Sequence, residues 1–274
     1  ENYRSSTATF AYHKCLSCKG IFLSNIPNNI SRYYQNDYYA IPTLERLQEI
    51  GDKDRNKIET VLRFASPPGR LLEIGSAFGV FAWQAKQAGF VIDVIEMDAA
   101  CCQYLQEVLG LNVFHSNNPV TSIEQMVQHD VIAIWHVLEH LPDVVGFLRA
   151  AAHNLKQNGL LIIAMPNPDA WQFRIMGRFW PHLDAPRHMT LIPQKWLSIK
   201  AAELGLEQLY LTSDDSDAQS WNRFGWQRLL MNRFSSRFMQ RMMYVLGYLL
   251  SFIMSPFDRN NFNGSSYTIA FRKI

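Results

Sequence analysis

Acidic and small residues alternate at every second position directly after an apolar run, and helix-forming residues follow them. They are Glu73, Gly75, Ala77 and Gly79. Glycine allows the positive φ angles and the close backbone approach that a tight strand-to-helix turn around a ligand requires. A second carboxylate, Glu96, ends the next apolar run 21 positions after Gly75, where it suits the paired hydroxyls of a ribose. The spacing predicts a nucleotide-like cofactor site.

The acidic residue ahead of the glycines narrows the choice of cofactor. A turn that binds a pyrophosphate reads Gly-x-Gly-x-x-Gly, whereas this turn begins with Glu73 and has Ala77 at its centre. A carboxylate at that position repels a phosphate and attracts a cationic amine. The pattern therefore favours an adenosyl amino acid over a dinucleotide.

These segments resemble the class I S-adenosylmethionine (AdoMet)-dependent methyltransferases. The first motif of that family, acidic-x-Gly-x-Gly-x-Gly, matches residues 73–79 except at Ala77, and its second acidic position matches Glu96. The segments of its fourth and fifth strands match residues 130–141 and 159–167. The resemblance implies an α/β fold of the Rossmann-like, doubly wound type, with a seven-stranded sheet whose last strand runs antiparallel.

The resemblance also assigns roles to the residues of the cofactor site. Gly75 and Gly79 are expected at the methionine end of AdoMet, Glu96 on the ribose, Met97 against the adenine, and Asn117 facing the adenine amine. The full set of cofactor-binding residues that it implies is Glu73, Gly75, Ala77, Gly79, Glu96, Met97, Asn117 and His136.

Residues 136–140 also spell His-x-x-Glu-His, the inverted zinc-peptidase signature. Zinc hydrolysis requires both histidines on one helix face, but this motif follows a predicted strand directly and Pro142 comes two residues later. The methyltransferase resemblance instead places His136 at the carboxyl end of a strand beside the transferable methyl, as a candidate catalytic residue. Glu139 and His140 then begin the next turn. We therefore interpret the motif as part of a methyltransferase site.

A polar, irregular segment at residues 180–189 lies where the family builds its acceptor pocket. It resembles a Trp…Asp-x-Pro-Arg-His pattern in a subgroup that includes methyltransferases of sugar and cell-surface biosynthesis. A base is needed only when the acceptor is a hydroxyl or an acidic carbon. His188 is the candidate base, with Asp184 or Arg187 orienting it or holding an anionic substrate. The alternative is that His188 braces the loop by hydrogen bonding.

The cysteines form two close pairs. Cys15 and Cys18 look like half of a zinc ribbon, and a single such pair cannot complete four-cysteine coordination within this chain. Structural zinc at Cys15 and Cys18 is thus one hypothesis, and a degenerate or incomplete module is the other. Cys101 and Cys102 lie on a predicted helix and are expected in the core.

Residues 221–257 contain five arginines and no lysine or acidic residue. Arg233, Arg237 and Arg241 recur every four residues, which places them on one face of a helix. The uncharged run that follows, 242–257, is shorter than the roughly 20 apolar residues of a membrane span. The segment predicts a helical lid or dimer contact, or a helix that lies on an anionic membrane or covers a lipid-linked acceptor.

Apolar runs alternate with helical patterns over residues 65–212, which is typical of parallel βαβ units. We expect an N-terminal Cys-x-x-Cys and tyrosine-rich appendage at 1–40 and a methyltransferase domain at 41–274, with a helical insert before the last strand. The 274 residues are 48% hydrophobic and 18% charged with a net charge of +2, which gives no indication of a DNA partner. Paired cysteines without a disulfide framework and no visible signal peptide favour the cytoplasm, with membrane association as a further option.

The sequence as a whole predicts an enzyme that transfers a methyl group from AdoMet to a small-molecule acceptor, such as a sugar or a lipid-linked biosynthetic intermediate. A methyltransferase that binds or modifies RNA through its arginine-rich insert is the alternative. A zinc hydrolase and a catalytically silent scaffold are less favoured. A homo-oligomer is compatible with the sequence.

Overall fold

The computed structural model describes residues 8–34, 39–260 and 262–274, so parts of the 1–40 appendage lie outside the described residues. In chain order the strands are β1 (Tyr12–Lys14), β2 (Ile21–Leu23), β3 (Arg70–Ile74), β4 (Val91–Glu96), β5 (Asn112–His115), β6 (His129–Trp135), β7 (Leu155–Pro166), β8 (Thr190–Leu191), β9 (Leu206–Thr212) and β10 (Ser266–Lys273). The helices are α1 (Leu44–Lys53), α2 (Asn56–Leu62), α3 (Val80–Ala88), α4 (Ala99–Glu107), α5 (Pro119–Glu124), α6 (Val144–Asn154), α7 (Trp171–Met176), α8 (Gln194–Ala202), α9 (Ser216–Met231) and α10 (Arg237–Asp258).

The central sheet has seven strands in the order β5-β4-β3-β6-β7-β10-β9. Strands β3 to β7 pair in parallel, whereas β10 runs antiparallel to both of its neighbours, with Ile269 opposite Ile163 and Leu211. This is the doubly wound sheet with an antiparallel last strand that the family resemblance implies. The order reverses between β3 and β6, and ligands of such sheets bind outside the carboxyl ends of the strands at that point.

Both faces of the sheet are covered by helices, which explains the continuously apolar strand sequences. Along β6, Ile132 and Ile134 point into a core completed by α5, α6 and α8. Val131 and Ala133 point into the opposite core, completed by α1, α2, α3 and α4. The sheet is therefore a rigid middle layer that fixes the loops at its carboxyl edge.

The region before β3 forms two helices separated by a short break. Helix α1 ends at Lys53 and α2 begins at Asn56. The side chain of Gln84 donates to the carbonyls of Gly51 and Asp54 at 2.7 and 2.9 Å, which satisfies backbone acceptors at the break.

The described part of the 1–40 segment is hydrogen-bonded to the loop around residue 188. β1 pairs with β2, and β2 pairs with β8, which begins two residues after His188. The hydroxyl of Tyr12 donates to the carbonyls of His188 and Leu183 at 2.7 and 3.0 Å. The appendage therefore fixes the backbone of the segment in which the candidate base lies.

The predicted helical insert is the pair α9 and α10 between β9 and β10. A small core joins it to the rest of the domain, in which Trp226 packs with Trp180 and Ala170. The buried carboxylate of Asp258 accepts from the indole nitrogens of Trp171 and Trp226 at 2.7 and 2.9 Å. Among the helices of the described residues, none has the length and apolar character needed to cross a membrane.

Candidate active site

Two glycines shape the turn after β3 for different reasons. At Gly75 the φ angle is +70°, and a Cβ atom there would lie 2.4 Å from Val137. At Gly79, which precedes α3 with a φ of +83°, a Cβ atom would lie 2.4 Å from Leu105 of α4. Gly75 thus allows the turn to approach the loop after β6, whereas Gly79 allows α3 to pack closely on α4.

A cavity of about 240 Å³ opens at the carboxyl ends of β3 and β6, where the strand order reverses. Its walls combine the turn after β3, the end of β6 and side chains of α2 and α3. Among the residues that line it are Lys57, Glu73, Gly75, Ala77, Phe78, Phe81, Trp135, His136 and Val137. The structure therefore brings four of the predicted cofactor residues to one cavity, namely Glu73, Gly75, Ala77 and His136.

The carboxylate of Glu73 is buried in the wall of this cavity and accepts a hydrogen bond from Ser76 Oγ at 2.6 Å. Burial raises its pKa to about 7, against the opposing effects of Ser76 and the Lys57 ammonium. A buried carboxylate with this pKa gains most from a cationic group that enters the cavity, because the cation stabilises its ionised form.

Glu96 ends β4 and ties the cofactor turn to the neighbouring strand. Its carboxylate is buried and accepts from the backbone N–H groups of Ala77, Met97 and Asp98 at 2.9, 2.7 and 2.9 Å. Burial raises the pKa of Glu96 even though these three donors favour its ionised form. Met97 is 47% exposed, and Asn117 is exposed in the turn after β5, so neither side chain is held by the core. The roles of Glu96, Met97 and Asn117 toward the cofactor stay predictions.

His136 directly follows β6 and pairs with a residue that the sequence analysis did not single out. Its Nε2 lies 2.6 Å from Asp217 Oδ2, and its Nδ1 lies 3.7 Å from Glu139 Oε1. Burial opposes the charged imidazole, but the two carboxylates outweigh it and raise the pKa of His136 to about 9. The indole nitrogen of Trp221 lies 3.1 Å from the same Nε2.

Asp217 and Trp221 both come from α9 of the helical insert. The insert therefore supplies contacts to the cofactor cavity in addition to its own packing. The sequence offers a weak signal for this, because an acidic residue and a tryptophan four positions apart share one helix face.

His188 lies in a buried cluster beside the cavity and does not line it. Its Nδ1 donates to the carbonyl of His182 at 2.8 Å. Its Nε2 lies 3.8 Å from Asp184 Oδ2 and 3.9 Å from Glu139 Oε1. Arg187 donates to the Asp184 carboxylate at 2.7 Å. The predicted grouping of His188, Asp184 and Arg187 is thus present, and Glu139 stands between this group and His136.

Glu139 is fully buried, and neither of its carboxylate oxygens has a hydrogen-bond donor within the described part of the chain. Burial alone raises the pKa of this carboxyl, but the neighbouring histidines outweigh it and lower the pKa.

Glu139, His140 and His188 bring one ligand atom each within 4.8 Å of one another, a donor set of the type that binds divalent cations. The zinc-peptidase geometry is absent from this site, because His136 follows a strand and a 3-10 turn at Leu138–His140 holds the rest of the motif.

Cys15 and Cys18 are partly exposed thiols in the turn between β1 and β2. Hydrogen bonds from Cys18 lower the pKa of Cys15. Over residues 8–34, 39–260 and 262–274, no set of three metal-binding side chains includes either cysteine. Cys101 and Cys102 are buried on α4, as predicted.

Comparisons with known proteins identify the family of the chain. A family model described as a methyltransferase domain matches residues 45–211, which is more than half of the chain. The chain belongs to this methyltransferase family. The resemblance to class I AdoMet-dependent methyltransferases is thereby confirmed.

The methyltransferase is also similar to curated relatives over part of its length. It is 28% identical over 149 residues to the ubiquinone biosynthesis O-methyltransferase of Bordetella avium. The matched segment covers 50% of this chain and 62% of that protein. It is 29% identical over 112 residues to the protein of the same name from Paramagnetospirillum magneticum. Here the matched segment covers 39% of this chain and 45% of that protein. The chain thus spans about half of the length of these relatives.

Solved structures share the fold of the methyltransferase. One is an AdoMet-dependent methyltransferase from Archaeoglobus fulgidus, with a TM-score of 0.54 and 16% identity over 83% of this chain and 94% of that chain. Another is described as a putative sarcosine dimethylglycine methyltransferase from Galdieria sulphuraria, with a TM-score of 0.54 and 15% identity over 82% of this chain and 86% of that chain. At this level of identity the likeness concerns the fold.

Proposed function

We propose that the protein transfers the methyl group of AdoMet to an oxygen atom of a small-molecule acceptor. The observation that carries the proposal is Glu73, a buried carboxylate with its pKa raised to about 7 in the wall of the cavity at the switch point of the sheet. We expect this carboxylate to receive the amino group of AdoMet, because a negative charge at this position favours a cation and disfavours a phosphate. When bound, AdoMet supplies a methyl group that is attached to a sulfonium sulfur. The rest of AdoMet is the leaving group and becomes a neutral thioether.

The chain contributes mainly alignment and exclusion of water, because methyl transfer is an in-line displacement. The backbone at Gly75 and Ala77 borders the cavity, and the rings of Phe78, Phe81 and Trp135 give it apolar walls. We place the methionine end of the cofactor beside Gly75 and its ribose toward Glu96, as in the resemblance. The acceptor then lies on the side of His136.

An oxygen acceptor is supported by the curated relatives, which are named as O-methyltransferases. A hydroxyl must lose its proton as the methyl group arrives, so a proton acceptor is part of this proposal. A sugar or lipid-linked intermediate stays the expected class of acceptor.

We infer that the proton passes to His136, the one histidine among the described residues that line the cavity. Asp217 holds Nε2 of the imidazole, and Nδ1 faces Glu139 at 3.7 Å. His188 faces the same carboxylate oxygen from the other side at 3.9 Å. Both distances exceed hydrogen-bond length, so the proton rests on His136, and the Glu139 carboxylate stabilises the imidazolium by its charge. His188 then acts as a positioning residue through Glu139 and does not touch the acceptor.

Methyl transfer from labelled AdoMet to a panel of phenolic and sugar hydroxyl acceptors tests the proposal. The wild-type protein and the surface variant Glu59→Gln should transfer the label to the same acceptor, whereas Glu73→Gln should lose most of its affinity for AdoMet. Glu59 is an exposed carboxylate of α2 and serves as the matched control. Failure of well-folded wild-type protein to bind AdoMet would overturn the proposal.

A further inference from the structure

Helix α10 presents an apolar side to solvent, which we call the outer strip. Its large side chains recur every three or four residues and are half or more exposed at most positions, up to 69% at Phe238 and 67% at Ile253. The outer strip consists of Phe238, Met242, Val245, Leu249, Phe252 and Ile253. At a rise of about 1.5 Å per residue, the 22 residues of α10 extend about 33 Å. Exposed apolar surface of this extent marks an interaction site.

The opposite side of α10 is already packed, so the outer strip is not turned toward the domain core. A Cβ atom on Gly247 would lie 2.6 Å from the backbone of Gln227 in α9. Ser251 and Asp258 are buried on the same side, and Asp258 holds two tryptophans. The helix is therefore fixed with its apolar strip facing outward.

The charges around the outer strip have one sign. Arg233, Arg237 and Arg241 are exposed before and within the first turns of α10. No acidic residue occurs between Asp217 and Asp258. Asp217 pairs with His136 and Asp258 is buried, so neither faces these arginines as an exposed charge.

We propose that α10 docks the protein on the surface of an anionic lipid bilayer, with the outer strip at the boundary of headgroups and acyl chains. Arginines beside an apolar helix face are the combination that binds such a surface, since lipid phosphates neutralise the cations while the apolar side chains leave water. The described helices cannot cross a membrane, so α10 lies on it. This inference is independent of the proposed methyl transfer.

A second copy of the chain fits the outer strip less well than a bilayer does. An interface built from two such strips buries apolar surface, but it brings arginines to a surface that has no exposed acid between residues 218 and 257. An anionic bilayer provides the opposite charge at every position of the helix.

Co-sedimentation of the full chain with lipid vesicles tests the proposal. The protein should bind vesicles of phosphatidylcholine with about 30 mol % phosphatidylglycerol and bind phosphatidylcholine alone much more weakly. Arg237→Gln with Arg241→Gln should weaken binding about 25-fold, at about fivefold for each arginine. Leu249→Gln with Ile253→Gln should reduce binding about tenfold or more.

Matched controls are Arg63→Gln and Ile199→Gln, an exposed arginine and an exposed isoleucine outside the insert. Both should bind vesicles as the wild type does. Far-ultraviolet circular dichroism and thermal unfolding, measured on every variant, verify that each one is folded.

Equal binding to both vesicle types, or no binding to either by folded protein, would overturn the proposal. So would a stable dimer by light scattering that Leu249→Gln with Ile253→Gln dissociates, because the outer strip would then be a contact between copies. The proposal would also be overturned if the protein bound single-stranded RNA more tightly than anionic vesicles, with an affinity that depends on these arginines and falls steeply with salt. The partner would then be a nucleic acid.

Discussion

The Oδ2 atom of Asp217, on the insert helix α9, lies 2.6 Å from Nε2 of His136 at the carboxyl end of β6. Eighty-one positions separate the two residues in the chain. Their pairing joins the helical insert to the cofactor cavity and sets the protonation state of the histidine that lines it. The first prediction concerns this pair.

Asp217→Asn should shift the pH dependence of methyl transfer to lower pH. The pKa of His136 is raised to about 9, so the neutral imidazole that accepts a proton accumulates only toward that pH. In the wild type, kcat/KM should therefore rise by up to about tenfold per pH unit and level off near pH 9. Without the Asp217 charge, burial lowers the pKa of His136 and the profile levels off earlier. A profile that does not move between the wild type and the variant would contradict the assignment.

The same pair stabilises the fold in a defined pH range. The pKa of His136 in the folded chain exceeds its usual value of 6.5, so the stabilisation is fully present below about pH 6.5 and is lost as the pH rises through about 9. Asp217→Asn should lower the free energy of unfolding by about 2–3 kcal/mol at pH 6 and by much less at pH 9.5. Urea denaturation at the two pH values measures this difference, and an equal loss at both would count against it.

Substitution of His136 should affect catalysis more than substitution of His188. We expect His136→Asn to lower kcat about 10²–10³-fold, because the proposal makes His136 the group next to the acceptor. His188→Asn should lower kcat about tenfold and shift the pH profile, because it acts through Glu139. His153→Asn, on the exposed side of α6, is the matched control and should leave both parameters unchanged. A larger loss for His188→Asn than for His136→Asn would show that His188 contacts the acceptor directly.

Ala77 has a φ angle of +50°, and the size of its side chain should therefore control stability. A β-branched residue in the left-handed region is strongly strained, so Ala77→Val should lower the free energy of unfolding by about 2 kcal/mol and weaken AdoMet binding. Ala77→Gly should leave stability unchanged or raise it slightly. Urea denaturation of the wild type and both variants measures these free energies of unfolding. Equal stability of Ala77→Val and the wild type would contradict the expected backbone strain at this position.

Tyr12 should stabilise the loop that contains His188. Its hydroxyl is partly buried and shares its proton between two carbonyls, and Tyr12→Phe removes this donor. We expect a loss of about 1–2 kcal/mol in the free energy of unfolding. Tyr244→Phe, on the exposed side of α10, is the control and should have no effect. Equal stability of Tyr12→Phe and the wild type would indicate that the appendage does not support the loop.

Features that depend on neighbouring residues in the chain can be predicted from the sequence, whereas contacts between distant residues cannot. Continuous apolar runs such as Val131–Ile134 predict the strands of the sheet, and the spacing of Glu73 and Gly75 predicts the turn, because both depend on local sequence. The contact of Asp217 with His136 depends on how α9 docks, and the spacing of Asp217 and Trp221 on one helix face indicates this only weakly. The short strands β1 and β2 have three residues each, too few to show a period of two.

The surroundings of some site residues cannot be read from motif spacing. The turn at Gly79 packs closely on Leu105 and Leu109 at the α4 region, and its role at the methionine end of the cofactor stays a prediction. Glu139 lies between His188 and His136, and the role of His188 as base stays a prediction. Such contacts depend on side-chain packing, which motif spacing does not report.

The most direct test of the central claim is proton release on cofactor binding, measured by isothermal titration calorimetry in two buffers of different ionisation enthalpy. Because the pKa of Glu73 is raised to about 7, this carboxyl is mostly protonated at pH 6 and ionises when a cationic amine enters the cavity. Wild-type protein should release close to one proton per AdoMet bound at about pH 6 and almost none at about pH 8.5. Glu73→Gln should release none from this group at either pH and bind AdoMet about 10–100-fold more weakly. Tight AdoMet binding by Glu73→Gln with the same proton release as the wild type would contradict the account.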